Sequence, residues 1–271
     1  MKVICAIDFS ETSINACKWI YSMLSEIENS SLHLVHCISL RKRSDVFLNV
    51  FDTLKYRAID DIEELEQELS QISEDVKLSF EVLTAHPKEY LAQISRSNRY
   101  DLIVTGTKGL SALKDMTIGS VTEYLMYRSS TPILTIPKNC TFEGLDKIIL
   151  GLGPVKHDLN EYDFLINLAN HFDSKIHLVN VVENDQEYSK PYLNRNKSFN
   201  SKRASFEVIE KEDSIAETLE DFTDEIDGQL ICLIHQKRNW FKRLFHKSVV
   251  KRELFNIETP LLILSNSKMH G

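Results

Sequence analysis

KVICAIDFSETSINACKWIYSMLSEIE, residues 2–28, holds the reading that decides the fold. It opens as a short β-rich apolar run closed by Asp8. After Ser10 the side chains of Ile14, Cys17, Ile20, Tyr21 and Leu24 recur at helical spacing. A strand that hands over to a helix within a few residues is half of a βαβ unit, and Ser10 is the residue type that caps such a helix. The alternation continues outward. LHLVHCI (32–38) reads as a second strand, residues from about 46 to 72 as a long charged amphipathic helix, and VKLSFEVL (76–83) as a third strand. Pro87 suits the first turn of the helix carried by KEYLAQISRS (88–97). YDLIVTG (100–106), a helix from about Ser120 and PILTI (132–136) complete β-α-β-α-β-α-β-α-β, the pattern of a parallel sheet with helices on both faces.

The rest of the chain repeats this order after the polar link KNCTFEGLD (138–146). KIILGLG (147–153) answers KVICAID at an offset of 145 residues, and KIHLVNVV (175–182) answers SLHLVHCI at 144. LICLI (230–234) and TPLLIL (259–264) answer LIVTG and TPILTI at 128, so about sixteen residues are missing between the second and third strands of the repeat. There the long helix gives way to NDQEYSKPYLNRNKSFNSKR (184–203), a polar run that reads as a loop. The expected architecture is therefore α/β, two tandem five-stranded parallel-sheet sandwiches of Rossmann-like kind, with domains at 1–140 and 141–271. The final strands PILTI and PLLIL are expected to pair the two repeats as an intramolecular pseudo-dimer, with a homodimer of such chains as a further expectation.

Composition narrows the function classes. The 271 residues carry 40 acidic and 32 basic side chains, a net charge of −8, which argues against bulk attraction to nucleic acid or an anionic membrane. With 42% hydrophobic and 27% charged residues the chain is an ordinary globular one, and neither disordered nor fibrous. The start has a single Lys and an early acid, unlike a secretory signal, and no stretch reaches about 18 apolar residues, so a cytoplasmic protein is expected. Five widely spaced cysteines without a C-x-x-C pair fit neither a disulfide framework nor a zinc ribbon, and read as reduced, mostly buried thiols.

Glycine is scarce, with eight residues in the chain, yet Gly106, Gly109 and Gly119 fall in one segment, GTKGLSALKDMTIGS (106–120). Glycine serves where backbone must turn or approach something closely, so the cluster marks a local backbone requirement. It lies past a strand and before a helix, where open α/β sheets bind ligands and helix N-termini face anions. Neither G-x-x-x-x-G-K-[ST] nor G-x-G-x-x-G occurs. The spacing present, G-x2-G-x9-G-[ST], resembles that of the ATP-binding members of the universal stress protein A family. AIDFSET (6–12), LVHC (34–37) and GSVTEYLMYRSSTPILTI (119–136) carry the same resemblance, which covers the first repeat throughout and the second more weakly. It implies an adenine nucleotide alpha hydrolase-like fold that binds ATP, with or without magnesium. Asp8 would then accept hydrogen bonds from the ribose or adenine edge and the Cys37 backbone would meet adenine. Gly106, Gly109, Gly119, Ser120 and Val121 would cradle the phosphates.

Structural alternatives stand beside these roles. The glycines also suit a tight β–α turn, Asp8 a helix cap, Lys108 and Lys114 solvated loop positions, and His36 a hydrogen-bonded core residue. In the second repeat Gly106, Gly109 and Gly119 fall on Ile234, Lys237 and Lys247, and Asp8 falls on Gly153, so nucleotide is expected in the first domain only. Gly151 and Gly153 read as a turn before Pro154. HQKRNWFKRLFHKSVVKR (235–252) has no acid and interleaves Trp240, Phe241 and Phe245 with cations. An apolar helix face or a protein-partner surface accounts for it better than nucleic acid.

ATP hydrolysis needs a placed water, usually a base, and a metal. Asp115 is the one extra carboxylate near the loop, and no Ser/His/Asp or metal-ligand spacing appears, so no catalytic residue and at most slow hydrolysis are expected. The expected function is that of an ATP-binding cytoplasmic stress-response regulator whose nucleotide orders the 107–118 loop for an unknown protein partner. The alternatives are a slow ATPase or nucleotide-transferring enzyme, by analogy of fold, and a ligand-free scaffold.

Overall fold

The computed structural model describes residues 1–39, 47–107, 119–153, 159–182, 203–211, 214–234 and 258–265. The chain divides into two compact units, Met1–Phe142 and Glu143–Gly271.

The first unit runs β1 (Lys2–Ala6), α1 (Glu11–Ser25), β2 (Ser31–Ile38), α2 (Phe47–Ser70), β3 (Lys77–Thr84), α3 (Pro87–Ile94), β4 (Leu102–Gly106), α4 (Ser120–Met126) and β5 (Ile133–Ile136). Its strands are all parallel, in the order β3-β2-β1-β4-β5. The central strands are continuous apolar runs because both their faces are covered: Val3, Ile4, Cys5, Ile103 and Val104 are fully buried. The chain leaves β1 for β2 in one direction and β4 for β5 in the other, so the topological switch point lies between β1 and β4.

Ser10 caps α1, its Oγ accepting from the Ser13 N–H at 3.2 Å, and Pro87 opens α3. Asp8 is not the cap: its Oδ1 instead accepts from the N–H and Oγ–H of Ser10, at 3.1 and 2.6 Å, and so braces the residue that is. The link after β5 turns back onto α1. Asn15 donates to the carbonyls of Pro137 and Cys140 at 2.8 and 2.9 Å, and Trp19 meets the Phe142 ring edge-on at 5.1 Å. That is why residues up to Phe142 stay with the first unit.

The second unit runs β6 (Lys147–Leu152), a 3₁₀ turn (Leu159–Tyr162), α5 (Asp163–His171), β7 (Lys175–Val182), β8 (Ala204–Glu210), α6 (Ile215–Glu225), β9 (Leu230–Ile234) and β10 (Leu261–Leu264). Its parallel order is β10-β9-β6-β7-β8, the first unit's plan again. The polar run 184–203 and the basic segment 235–252 lie almost wholly outside the described residues. Gly151 sits inside β6 rather than in a turn. A Cβ there would come within 2.6 Å of Leu233 Cδ2 and 3.1 Å of Leu219 Cδ1, so close packing explains this glycine.

Both units pin the outer strand in the same way. His33 Nδ1 lies 2.9 Å from Ser79 Oγ between β2 and β3, and His177 Nδ1 lies 2.9 Å from Ser205 Oγ between β7 and β8, each pair directly in register. Register in an edge strand is weakly set by burial alone, and a directional pair at one position removes the slip. The approach to the last strand differs. In the first unit Ser95 accepts from the Ser130 N–H and its carbonyl from Thr131 Oγ1, whereas in the second Glu220 Oε1 accepts from the N–H groups of Glu258 and Thr259 at 2.9 and 2.7 Å.

Burial pushes the Glu220 carboxyl above its ordinary range, against the backbone donors that favour the anion. A carboxyl raised in the folded state binds its proton more readily there than in the unfolded chain. Its contribution to stability therefore declines as pH rises from the unfolded value of about 4.3 through the folded one. Glu220→Gln keeps an acceptor for both N–H groups and removes the charge. Thermal unfolding at pH 7 is expected to show it more stable than the parent chain, with the advantage gone by pH 4. Thr135 Oγ1 in β5 is fully buried and finds no hydrogen-bond partner among the described residues. Thr135→Val should therefore stabilise by about 1 kcal/mol, the lower end of what an unpaired buried hydroxyl costs, and a lowered melting temperature would refute this.

Candidate functional site

Asp8, Cys37 and Gly106 sit at or just beyond the carboxyl ends of β1, β2 and β4, three neighbouring strands, at the switch point and beside it. The turn after β1 is tightly specified. Asp8 N–H donates to Ser13 Oγ at 3.2 Å, and Ser13 Oγ–H donates to the Ser10 carbonyl at 3.0 Å. Between Asp8 and Ser10 the backbone turns through Phe9 at φ +60°. The other non-glycine residues found at positive φ among the described ones are Asn29, Asn98, Asp173 and Asp227, types that tolerate it. For Phe9 the left-handed region costs about 1–2 kcal/mol. Its ring lies 4.8 Å from that of His36, whose Nδ1 is 2.9 Å from the Ile7 carbonyl oxygen. His36 is thus hydrogen-bonded, though half-buried, and it serves as the platform for the strained turn.

Gly106 ends β4, in register with Ile136. A Cβ on Gly106 would stand 2.8 Å from Thr12 Cγ2 and 3.0 Å from the Thr12 backbone carbon and oxygen. The first turn of α1 therefore rests directly on the end of β4. Gly119 precedes α4 with φ −63° and ψ 148°, open to any residue, but a Cβ there would lie 2.8 Å from the Thr107 carbonyl oxygen. Closeness and not φ requires both glycines. Ser120 and Val121 form the first turn of α4 and are half-exposed, and the Glu123 N–H closes that turn on the Gly119 carbonyl at 2.9 Å. Beneath them Thr105 and Thr122 share a buried hydroxyl–hydroxyl bond of 2.8 Å. Nothing in the spacing singles out Thr12, Thr105 or Thr122; only the packing shows them. Gly109, Lys108, Lys114 and Asp115 lie outside the described residues.

Cys37 is half-buried, in register with Leu83 on β3. Burial, helped by the Glu81 carboxylate, pushes its thiol up to about 11, so it stays protonated at neutral pH and is no nucleophile. Among the described residues no group of three or more His, Cys, Asp or Glu side chains is placed to hold a metal ion, and no helix is long and apolar enough to cross a membrane.

The corresponding place in the second unit is built differently. Ile234, at the position of Gly106, is buried, and Gly153 stands where Asp8 would be. The offset of 145 carries Glu11 of α1 to residue 156, yet the α-helix begins at Asp163 after the 3₁₀ turn. In the first unit's geometry a side chain at this position would press on the helical turn laid against it. Lys237, Lys247 and Ser248 lie outside the described residues.

The family model described as "Universal stress protein family" matches residues 1–137. Universal stress protein MJ0577 of Methanocaldococcus jannaschii is 26% identical over 156 residues, which are 51% of this chain and 94% of that protein. The crystal structure of a universal stress protein from Archaeoglobus fulgidus superposes with a TM-score of 0.74 over 98% of this chain and 97% of its own at 14% identity, a likeness of fold. A family member from Arabidopsis thaliana solved with AMP bound is 20% identical over 52% of this chain and 93% of its own, with a TM-score of 0.39.

Gly106→Ala and Gly119→Ala are each expected to destabilise the ligand-free chain by about 1–3 kcal/mol, the usual cost of overpacking. Denaturant unfolding of both variants without nucleotide checks this, and unchanged midpoints would show that neither glycine is required by contact.

Proposed function

Because the chain belongs to the universal stress protein family, we propose that its first unit binds ATP and that it acts as a nucleotide-responsive, cytoplasmic stress-response regulator. One observation carries the reading. Asp8, Cys37, Gly106 and the Gly119–Val121 turn lie at and beside the point where the strand order reverses, and Gly106, Gly109, Gly119 and Ser120 match the G-x2-G-x9-G-[ST] spacing of ATP-binding members. That crevice is where open parallel sheets take ligands, since loops diverge there and bare backbone N–H groups are available to anions.

The residues suit the parts of ATP in order. Asp8 offers a carboxylate held still by Ser10, suited to ribose or adenine donors. The backbone beside Cys37 lies one strand further over, where adenine would reach. Gly106, Gly109, Gly119, Ser120 and Val121 supply main chain and one hydroxyl to the phosphates, with or without magnesium. Nucleotide is held by this unit alone: in the second repeat the sequence has Ile234, Lys237 and Lys247 at the positions of the three motif glycines, and of these Ile234 is buried. We assign no catalytic residue. Bound nucleotide changes the surface around the motif that an unknown protein partner reads.

A second reading, a ligand-free scaffold, is favoured by one specific feature: the space of both missing Cβ atoms is taken by Thr12 and by the Thr107 carbonyl. The two readings part at the bench. Mass spectrometry of small molecules released from freshly purified protein is expected to find adenine nucleotide. Millimolar ATP should raise the melting temperature, as about 2.7 kcal/mol of stabilisation accompanies a ligand at a hundred times its Kd. Equilibrium dialysis should give one nucleotide per chain. An empty release with no thermal shift would establish the scaffold, and two nucleotides per chain would refute the single-unit site.

A further inference from the structure

Three buried threonines underlie the motif in the first unit. Thr105 immediately precedes Gly106, Thr122 is the third residue of α4, and Thr135 is the register partner of Thr105 on β5. All three are at most 4% exposed. At the offset of 128 their counterparts are Leu233, Val250 and Ile263. The unit that has lost every motif glycine has also exchanged each of these hydroxyls for an aliphatic side chain. A hydroxyl in a core is costly unless bonded, and an aliphatic side chain of similar shape would pack as well. For Thr105 and Thr122, retention in one unit and not the other calls for a cause local to the first.

The bond between Thr105 and Thr122 supplies one. It joins the last turn of strand before Gly106 to the first turn of helix after Gly119, at 2.8 Å and fully out of water. Apolar contacts are non-directional and allow a short helix to slide or roll by a fraction of an ångström, whereas a hydroxyl pair sets both distance and angle. The Gly119 Cα pressed against the Thr107 carbonyl gives a second fixed point beside it. Residues 107 and 119 are thereby held together in the folded chain, and the entropy of bringing them into proximity is met on folding and not on binding.

Resting on the ATP-binding reading, we infer that Thr105 and Thr122 are positioning residues for the phosphate half of the site. They touch no ligand. They hold Gly106 and the Gly119–Val121 turn at the separation at which both reach one phosphate chain. The nucleoside half, at Asp8 in the turn after β1 and Cys37 on β2, does not depend on α4.

The test compares ATP with adenosine on the full chain. Thr105→Val/Thr122→Val removes both hydroxyls without leaving either unpaired and restores the apolar character found at 233 and 250. Calorimetric titration is expected to show ATP bound about five- to tenfold more weakly, the value of one buried hydrogen bond, with adenosine affinity within twofold of the parent chain. Thr122→Ser keeps the hydroxyl and should bind ATP like the parent. Should the double variant fail to fold, Thr122→Val set against Thr122→Ser makes the same comparison. ATP affinity unchanged in the Val variants, or ATP and adenosine weakened by an equal factor, would overturn the inference while leaving the ATP-binding reading intact. A parent chain that binds no ATP would overturn both.

Discussion

Two bare α-carbons set how closely three elements of the first unit meet. Gly106 lets the first turn of α1 lie on the end of β4, and Gly119 lets the start of α4 lie against the carbonyl that follows the same strand. Everything proposed for the site depends on this convergence, since it brings the turn carrying Asp8 and the turn carrying Ser120 to the same strand end. The strain at Phe9 belongs to the same economy of space. A left-handed turn there is tolerated because Asp8, Ser10, Ser13 and the His36 ring over-determine it, and strain so maintained is characteristic of positions with a functional constraint.

The two units show how one plan accommodates different polar loads. They share strand order, the cross-strand His–Ser pair and the proline before the last strand, whose carbonyl accepts from Ile103 or Ile231. These are conditions of the fold itself. They differ wherever the first unit's polar groups serve the switch point. Threonines there have aliphatic counterparts in the sequence, and in the second unit the buried Glu220, midway along α6, ties down the approach to β10. Glu220 accepts from two backbone N–H groups where the Ser95 hydroxyl accepts from one, but burial of its charge makes this tie less favourable as pH rises.

Much of this is legible in the chain's letters, for reasons that can be named. Strands buried on both faces are short continuous apolar runs, and the amphipathic helices between them have a different period, so β1 through β5 and their repeats stand out. Ser10 and Pro87 are local chemistry and act where they occur. The segment 106–120 is conspicuous because glycine is otherwise scarce. What stays hidden is contact between residues distant in sequence. Thr12 against Gly106, Thr105 with Thr122, and Ser79 with His33 involve residue types that are common on any surface. Asp8 and Gly151 show the same limit: a carboxylate near a helix start suggests a cap and a G-x-G suggests a turn. The neighbours that make the first a brace for Ser10 and the second a packing gap for Leu219 and Leu233 come from other elements.

The sequence by itself determined the element order, the duplication with its sixteen-residue deficit, and the family spacing of the glycine segment, because each is a matter of period and distance along one chain. Only the tertiary structure decided why those glycines are needed, which hydroxyls lie beneath them, and that Asp8 braces the cap of α1. Those outcomes depend on how closely separate elements approach, and an ångström of approach leaves no trace in the order of residues.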